Sequence, residues 1–81
     1  MSFLNSKLLG ASLVEANFKN SLFTDCLMQY ANFYATKWTN TKITKTNLVN
    51  SCFSYSSFSK VSLDSVDFSD SEFIDTQLAD I

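Results

Sequence analysis

The 81-residue chain has no proline, no histidine and a single glycine, Gly10. Proline and glycine punctuate ordinary loops, so an irregular loop-bearing domain is disfavoured, and turns must be regular and built from other residues. Without histidine there is no imidazole base or imidazole metal ligand. Cys26 and Cys52 are the only cysteines and fit no CxxC or Cys/His pattern, which leaves no disulfide framework and no metal site. Apolar runs stop at two or three residues, which excludes a membrane-spanning helix. No basic segment followed by an apolar stretch opens the chain, so a cytoplasmic location is expected. A net charge of −2 argues against direct nucleic-acid binding. At this length one domain, residues 1–81, is expected. A hydrophobic content of 46% is too high for disorder.

What the chain has is a beat of five. Phe3, Leu8, Leu13, Phe18, Phe23, Met28, Phe33, Trp38, Ile43, Leu48, Phe53, Phe58, Leu63, Phe68, Phe73 and Leu78 are all large and apolar. Every phenylalanine and the only tryptophan fall on this beat. Two residues earlier lies a second column that is small or β-branched from Ser6 to Thr76. The other three positions are mostly polar.

Period five fits neither regular element. A helix advances 100° per residue, so the apolar stripe would wind around its cylinder. A continuous strand alternates with period two, so an odd repeat would flip the core face each cycle. The pattern resolves if each five holds a short extended piece and then a corner. Two residues separated by one point inward, and the polar ones turn the chain. The position two after each centre supports this, because nine of sixteen such positions hold Asn, Asp or Gly. Repeated corners make a solenoid, with rungs about 4.8 Å apart. The Ser and Thr hydroxyls of the second column are then buried and should bond to backbone groups of neighbouring rungs.

The units Ala16-Asn17-Phe18-Lys19-Asn20, Ala31-Asn32-Phe33-Tyr34-Ala35 and Val66-Asp67-Phe68-Ser69-Asp70 carry a resemblance to the pentapeptide-repeat family. The resemblance runs the length of the chain. It implies an all-β fold, a right-handed quadrilateral parallel β-helix with about twenty residues per coil. Sixteen units then make about four coils, a rod of roughly 20 Å.

Catalytic chemistry finds no foothold. The acids fall at solvent-facing or corner positions of the repeat. The serines lie in no GxSxG or SxxK context, and there is no glycine-rich phosphate loop. Cys26 should point inward and Cys52 outward, so they should not meet. No catalytic, cofactor or metal residues are assigned, and the protein is expected not to be an enzyme.

Charge is more informative. Residues 61–81 carry Asp64, Asp67, Asp70, Glu72, Asp75 and Asp80 and no lysine, a charge of −6. Residues 1–60 carry six lysines against Glu15 and Asp25, a charge of +4. Along a rod this is an axial dipole. Asp64, Asp67, Asp70, Glu72 and Asp75 are the candidate partner-binding residues. Apolar residues also sit in outward columns: Leu4, Leu9 and Val14 after the first three centres, Leu22 and Leu27 before the next ones, and Tyr30, Tyr34 and Tyr55 outward or at corners, with Tyr34 one coil above Val14 and Tyr55 at the neighbouring corner. A dense apolar cluster in the first coil and a half suggests a covered surface.

The sequence starts and stops in register, without a helical cap segment. Terminal rungs of a solenoid expose core and unpaired strand edges. Self-association through at least one end is therefore expected, giving a homo-oligomer. Its candidate residues are Phe3, Leu4, Leu8 and Leu9 at one end and Phe73, Leu78 and Ile81 at the other.

The stretch from Ile43 to Leu63, with Asn47-Leu48 and Phe58-Ser59-Lys60-Val61, also resembles the quinolone-resistance branch of the family. That resemblance implies a protein partner, a type II topoisomerase, engaged by mimicry of duplex DNA. The alternative is a structural or scaffolding module that self-assembles or docks another protein.

Overall fold

The computed structural model describes residues 1–79 and is built only of short strands and corners. Ile81, assigned above to self-association, and Asp80 lie outside the described residues. Eight three-residue strands form: β1 (Ser2–Leu4), β2 (Asn17–Lys19), β3 (Leu22–Thr24), β4 (Lys37–Thr39), β5 (Lys42–Thr44), β6 (Ser57–Ser59), β7 (Ser62–Asp64) and β8 (Gln77–Ala79). They make two parallel sheets, ordered β1-β3-β5-β7 and β2-β4-β6-β8. The registers Phe3↔Phe23, Ile43↔Leu63 and Phe18↔Trp38 give a step of twenty residues per coil. Five residues per side and twenty per coil make four sides. The expected parallel β-helix of about four coils is what the chain forms.

The four sides are not alike. Side one (β1, β3, β5, β7) and side four (β2, β4, β6, β8) are continuous sheets. Sides two and three are held by single bridges, Lys7↔Leu27↔Asn47↔Asp67 and Ser12↔Asn32↔Cys52↔Glu72. The corners after sides two and three are tight turns closed by i+3 backbone bonds, such as Ala11 N–H to the Leu8 carbonyl (3.1 Å) and Ser56 N–H to the Phe53 carbonyl (3.2 Å). The principal extents of 27 × 22 × 20 Å make a squat prism rather than an elongated rod.

Every corner position from Asn5 to Asp75 has positive φ, between 49° and 68°. Asparagine, aspartate and glycine tolerate this region readily. Glu15, Tyr30, Ala35, Lys45, Tyr55, Lys60 and Ser65 adopt it too. For all of these but Ser65, the local preference is overridden by a bond from the corner amide to the neighbouring coil. The Ala35 amide, for example, donates to the Ser54 carbonyl at 2.9 Å, and the Tyr55 amide to the Ile74 carbonyl at 2.8 Å.

Centres stack on the axis. Phe33, Phe53 and Phe73 form one column, with ring centroids 5.0 and 5.2 Å apart and planes within 4° and 7° of parallel. Trp38 lies between Phe18 (4.3 Å) and Phe58 (5.5 Å) in the next column. From Phe18 to Phe58 every centre is buried. The second column behaves as expected. Thr41, Ser51 and Ser56 donate to the carbonyls of Phe18 (3.4 Å), Met28 (3.0 Å) and Phe33 (2.8 Å), each on the coil below. Cys26 points inward and is buried, while Cys52 is half-exposed on side three.

Candidate functional site

The acidic coil is the last described one, and its regular backbone sets where each carboxylate goes. Asp64 ends β7 on side one. Asp67 occupies the bridge column of side two and Glu72 that of side three. Asp70 and Asp75 are positive-φ corner residues, at the corners after sides two and three. All five are exposed. The structure brings Asp67, Asp70 and Glu72 together around one corner. Asp64 and Asp75 flank that group on other parts of the coil, so the five make a ring over three sides instead of a single wall.

Asp67 has the most defined local geometry. Its Oδ1 accepts from the Ser69 hydroxyl (2.6 Å) and the Ser69 amide (3.0 Å). The hydroxyl bond first, then the amide bond, holds its carboxyl below the ordinary value of 3.8, because both favour the charged form. Asp67 also borders a shallow open depression of about 520 Å³ together with Asp25, Lys45, Asn47 and Ser65.

Twenty-residue stacking adds a second charge separation that the linear count did not contain. Lys19, Lys37 and Lys42 lie in β2, β4 and β5, and Lys60 turns the corner between sides four and one. Four lysines thus belong to the two sheet walls. Asp67, Asp70, Glu72, Asp75 and Glu15 belong to sides two and three and the corners after them, where Lys7 is the one lysine, while Asp25 and Lys45 turn the corner between sides one and two. The signal was available in the numbering modulo twenty.

The apolar surface also reorganises. Leu4, Leu9 and Val14 are exposed, but on side one, the corner after side two and the corner after side three, so they form no common patch. The coherent strip follows the corner after side three. It holds Val14, Tyr34 and Ile74, with the Tyr34 and Tyr55 rings 5.3 Å apart. Ser54 is buried in this column. Ile74, a member of the strip, went unnoticed in the sequence, although it lies forty residues beyond Tyr34.

At the ends, Phe3 and Leu8 are half-buried against the core, and Phe3 stacks on Phe23 at 4.7 Å. Phe73 and Leu78 are exposed, and with Phe58, Leu63 and Phe68 they line an apolar hollow of about 230 Å³. Leu4 and Leu9 project from the side walls rather than into either open end. Among the described residues, no cluster of three His, Cys, Asp or Glu side chains is arranged to hold a metal ion. No helix among them is long and apolar enough to cross a membrane.

Comparison with known proteins bears on residues 2–70 of the stack. A family model described as pentapeptide repeats, in eight copies, matches residues 2–40 and 39–70. No curated protein sequence matches the chain. Among solved structures, a pentapeptide repeat protein (Rfr23) from the cyanobacterium Cyanothece 51142 is similar at 11% identity and a TM-score of 0.41, over 88% of this chain and 90% of that one.

Proposed function

The chain belongs to the pentapeptide-repeat family, and on that footing we propose that it is a non-catalytic protein-binding solenoid whose acidic last coil docks a basic protein surface. The observation that carries this is the exposure of Asp64, Asp67, Asp70, Glu72 and Asp75 on a coil with no lysine of its own. Uncompensated carboxylates on a rigid backbone attract and orient a cationic partner. The resemblance to the quinolone-resistance branch names a target, the DNA-binding surface of a type II topoisomerase. Duplex DNA presents one negative charge per ~1.7 Å of axis, and only the last coil approaches that density.

The test is a supercoiling assay with purified gyrase, with and without a quinolone. Inhibition of supercoiling or protection from the drug is expected, and Asp67→Lys, Asp70→Lys and Glu72→Lys combined should abolish it. Neither effect at large excess of protein removes the topoisomerase reading. A scaffolding role is the second reading, favoured by the Val14, Tyr34, Tyr55 and Ile74 strip. It predicts binding that survives the triple charge reversal and fails with Tyr34→Ser.

A further inference from the structure

The fold leaves its two ends chemically different. Among the described residues, β7 and β8 pair only with β5 and β6, and β1 and β2 pair only with β3 and β4. The outer edges of these four strands pair with no other described strand. Over β7 and β8 the centres Leu63, Phe68, Phe73 and Leu78 rim an apolar hollow with Phe58 in its lining. At the opposite end Phe3, Leu8 and Leu13 are half-buried, packed against the core.

We infer that a second copy of the chain seats its first coil on this hollow, head to tail, adding its β1 to β7 and its β2 to β8. The pairing step is twenty residues on every side, as in Lys42↔Ser62, Asn47↔Asp67 and Ser57↔Gln77. One further step of the same kind sets the second copy's Phe3 on Leu63, Leu8 on Phe68, Leu13 on Phe73 and Phe18 on Leu78. Each large centre meets a large centre, and the strands meet parallel, as within the fold. Charge decides between this arrangement and a two-fold one. In the head-to-tail register the second copy's Lys7 stacks on Asp67, continuing the Lys7, Leu27, Asn47, Asp67 column. A two-fold contact between hollow ends would instead press together two coils that each expose five acids and no lysine. A two-fold contact between first coils would leave the hollow open. One like-charge pair remains in the head-to-tail register, Glu15 over Asp75, in one corner column. Because the contact joins two different surfaces and repeats the coil's own step along the stack axis, it does not close into a ring, and short linear stacks form with rising concentration. This junction shares Asp67 with docking by the acidic coil, and Lys7→Glu separates the two because Lys7 lies outside the five acids.

The experiment is sedimentation velocity on the 81-residue chain from micromolar to millimolar concentration. The average sedimentation coefficient should rise without a plateau at the dimer. Lys7→Glu and Asp67→Lys should each weaken association several-fold, and Glu15→Lys should strengthen it. Mixing the Lys7→Glu and Asp67→Lys proteins should restore association, because each supplies the charge the other junction needs. Leu78→Glu, at an exposed position that leaves the core intact, should give a monomer with an unchanged circular dichroism spectrum. A monomer throughout the range, a dimer that never grows, or a dimer indifferent to Lys7→Glu overturns the inference.

Discussion

Depth in the stack should set the cost of losing a ring, and one column offers a controlled comparison. Phe53 and Phe73 occupy equivalent positions one coil apart. Phe53 is fully buried between the parallel rings of Phe33 and Phe73, with Phe68 edge-on at 5.7 Å. Phe73 has one parallel neighbour and is 39% exposed. Truncating a fully enclosed phenylalanine costs about 3–5 kcal/mol, transfer and cavity together. The exposed ring keeps part of its water contact and leaves no closed cavity, so Phe73→Ala should cost about 1–2 kcal/mol. An 81-residue domain has about 4–12 kcal/mol of stability in all, so Phe53→Ala removes a large share of it. With a slope near ~1 kcal/mol per molar urea, the two variants should unfold with midpoints about 2 M apart. The measurement is urea denaturation followed by circular dichroism at low micromolar protein, where end-to-end contacts are dilute. Equal midpoints, or a larger loss for Phe73→Ala, would refute the idea that burial is graded along the axis. At high protein concentration the Phe73→Ala penalty should grow, because a second copy then covers that ring.

Three other outcomes are expected. Ala35 sits at a φ of 56°, so Ala35→Gly should raise stability by about 0.5–1 kcal/mol after its greater freedom in the unfolded chain is subtracted; Ala31→Gly, at an inward position, should lower it, and thermal melts of the pair compare the two. Thr36→Val leaves the Trp38 indole N–H without its 2.8 Å acceptor in a buried site and should cost about 2–3 kcal/mol, against about 1 kcal/mol or less for Thr46→Val, whose hydroxyl donates to the Thr44 carbonyl at 3.0 Å. Asp67 has a folded-state pKa lowered below 3.8 by Ser69, so its bonds contribute above that pH and are lost as the pH falls further through the lowered value; Ser69→Ala should move the Asp67 carboxyl titration, followed by carbon NMR, upward towards 3.8.

The sequence by itself determined the repeat. Large apolar residues from Phe3 to Leu78 at every fifth position exclude helix and continuous strand on angular grounds alone, so five residues per side and two inward columns were legible. The inward place of Cys26 and the bonding of the second-column hydroxyls followed from the same spacing. The acidity of the last coil was legible too, since it needs only counting. The closing of four sides into a coil was carried by family resemblance, because a period of five does not specify how many corners complete a circuit. Only the tertiary structure decided the rest. Which corners are tight turns and which sides are full sheets depends on bonds between residues twenty apart, and those same bonds hold Tyr55 and Lys60 in a backbone region they would not choose alone. Stacking also put Leu4 on side one and Leu9 and Val14 at two different corners. It gathered Tyr34, Tyr55 and Ile74 from three coils into one strip, and left Leu63, Phe68, Phe73 and Leu78 around an open hollow. Contacts across coils have no local signature, because each is made between segments whose proximity exists only once the chain has wound.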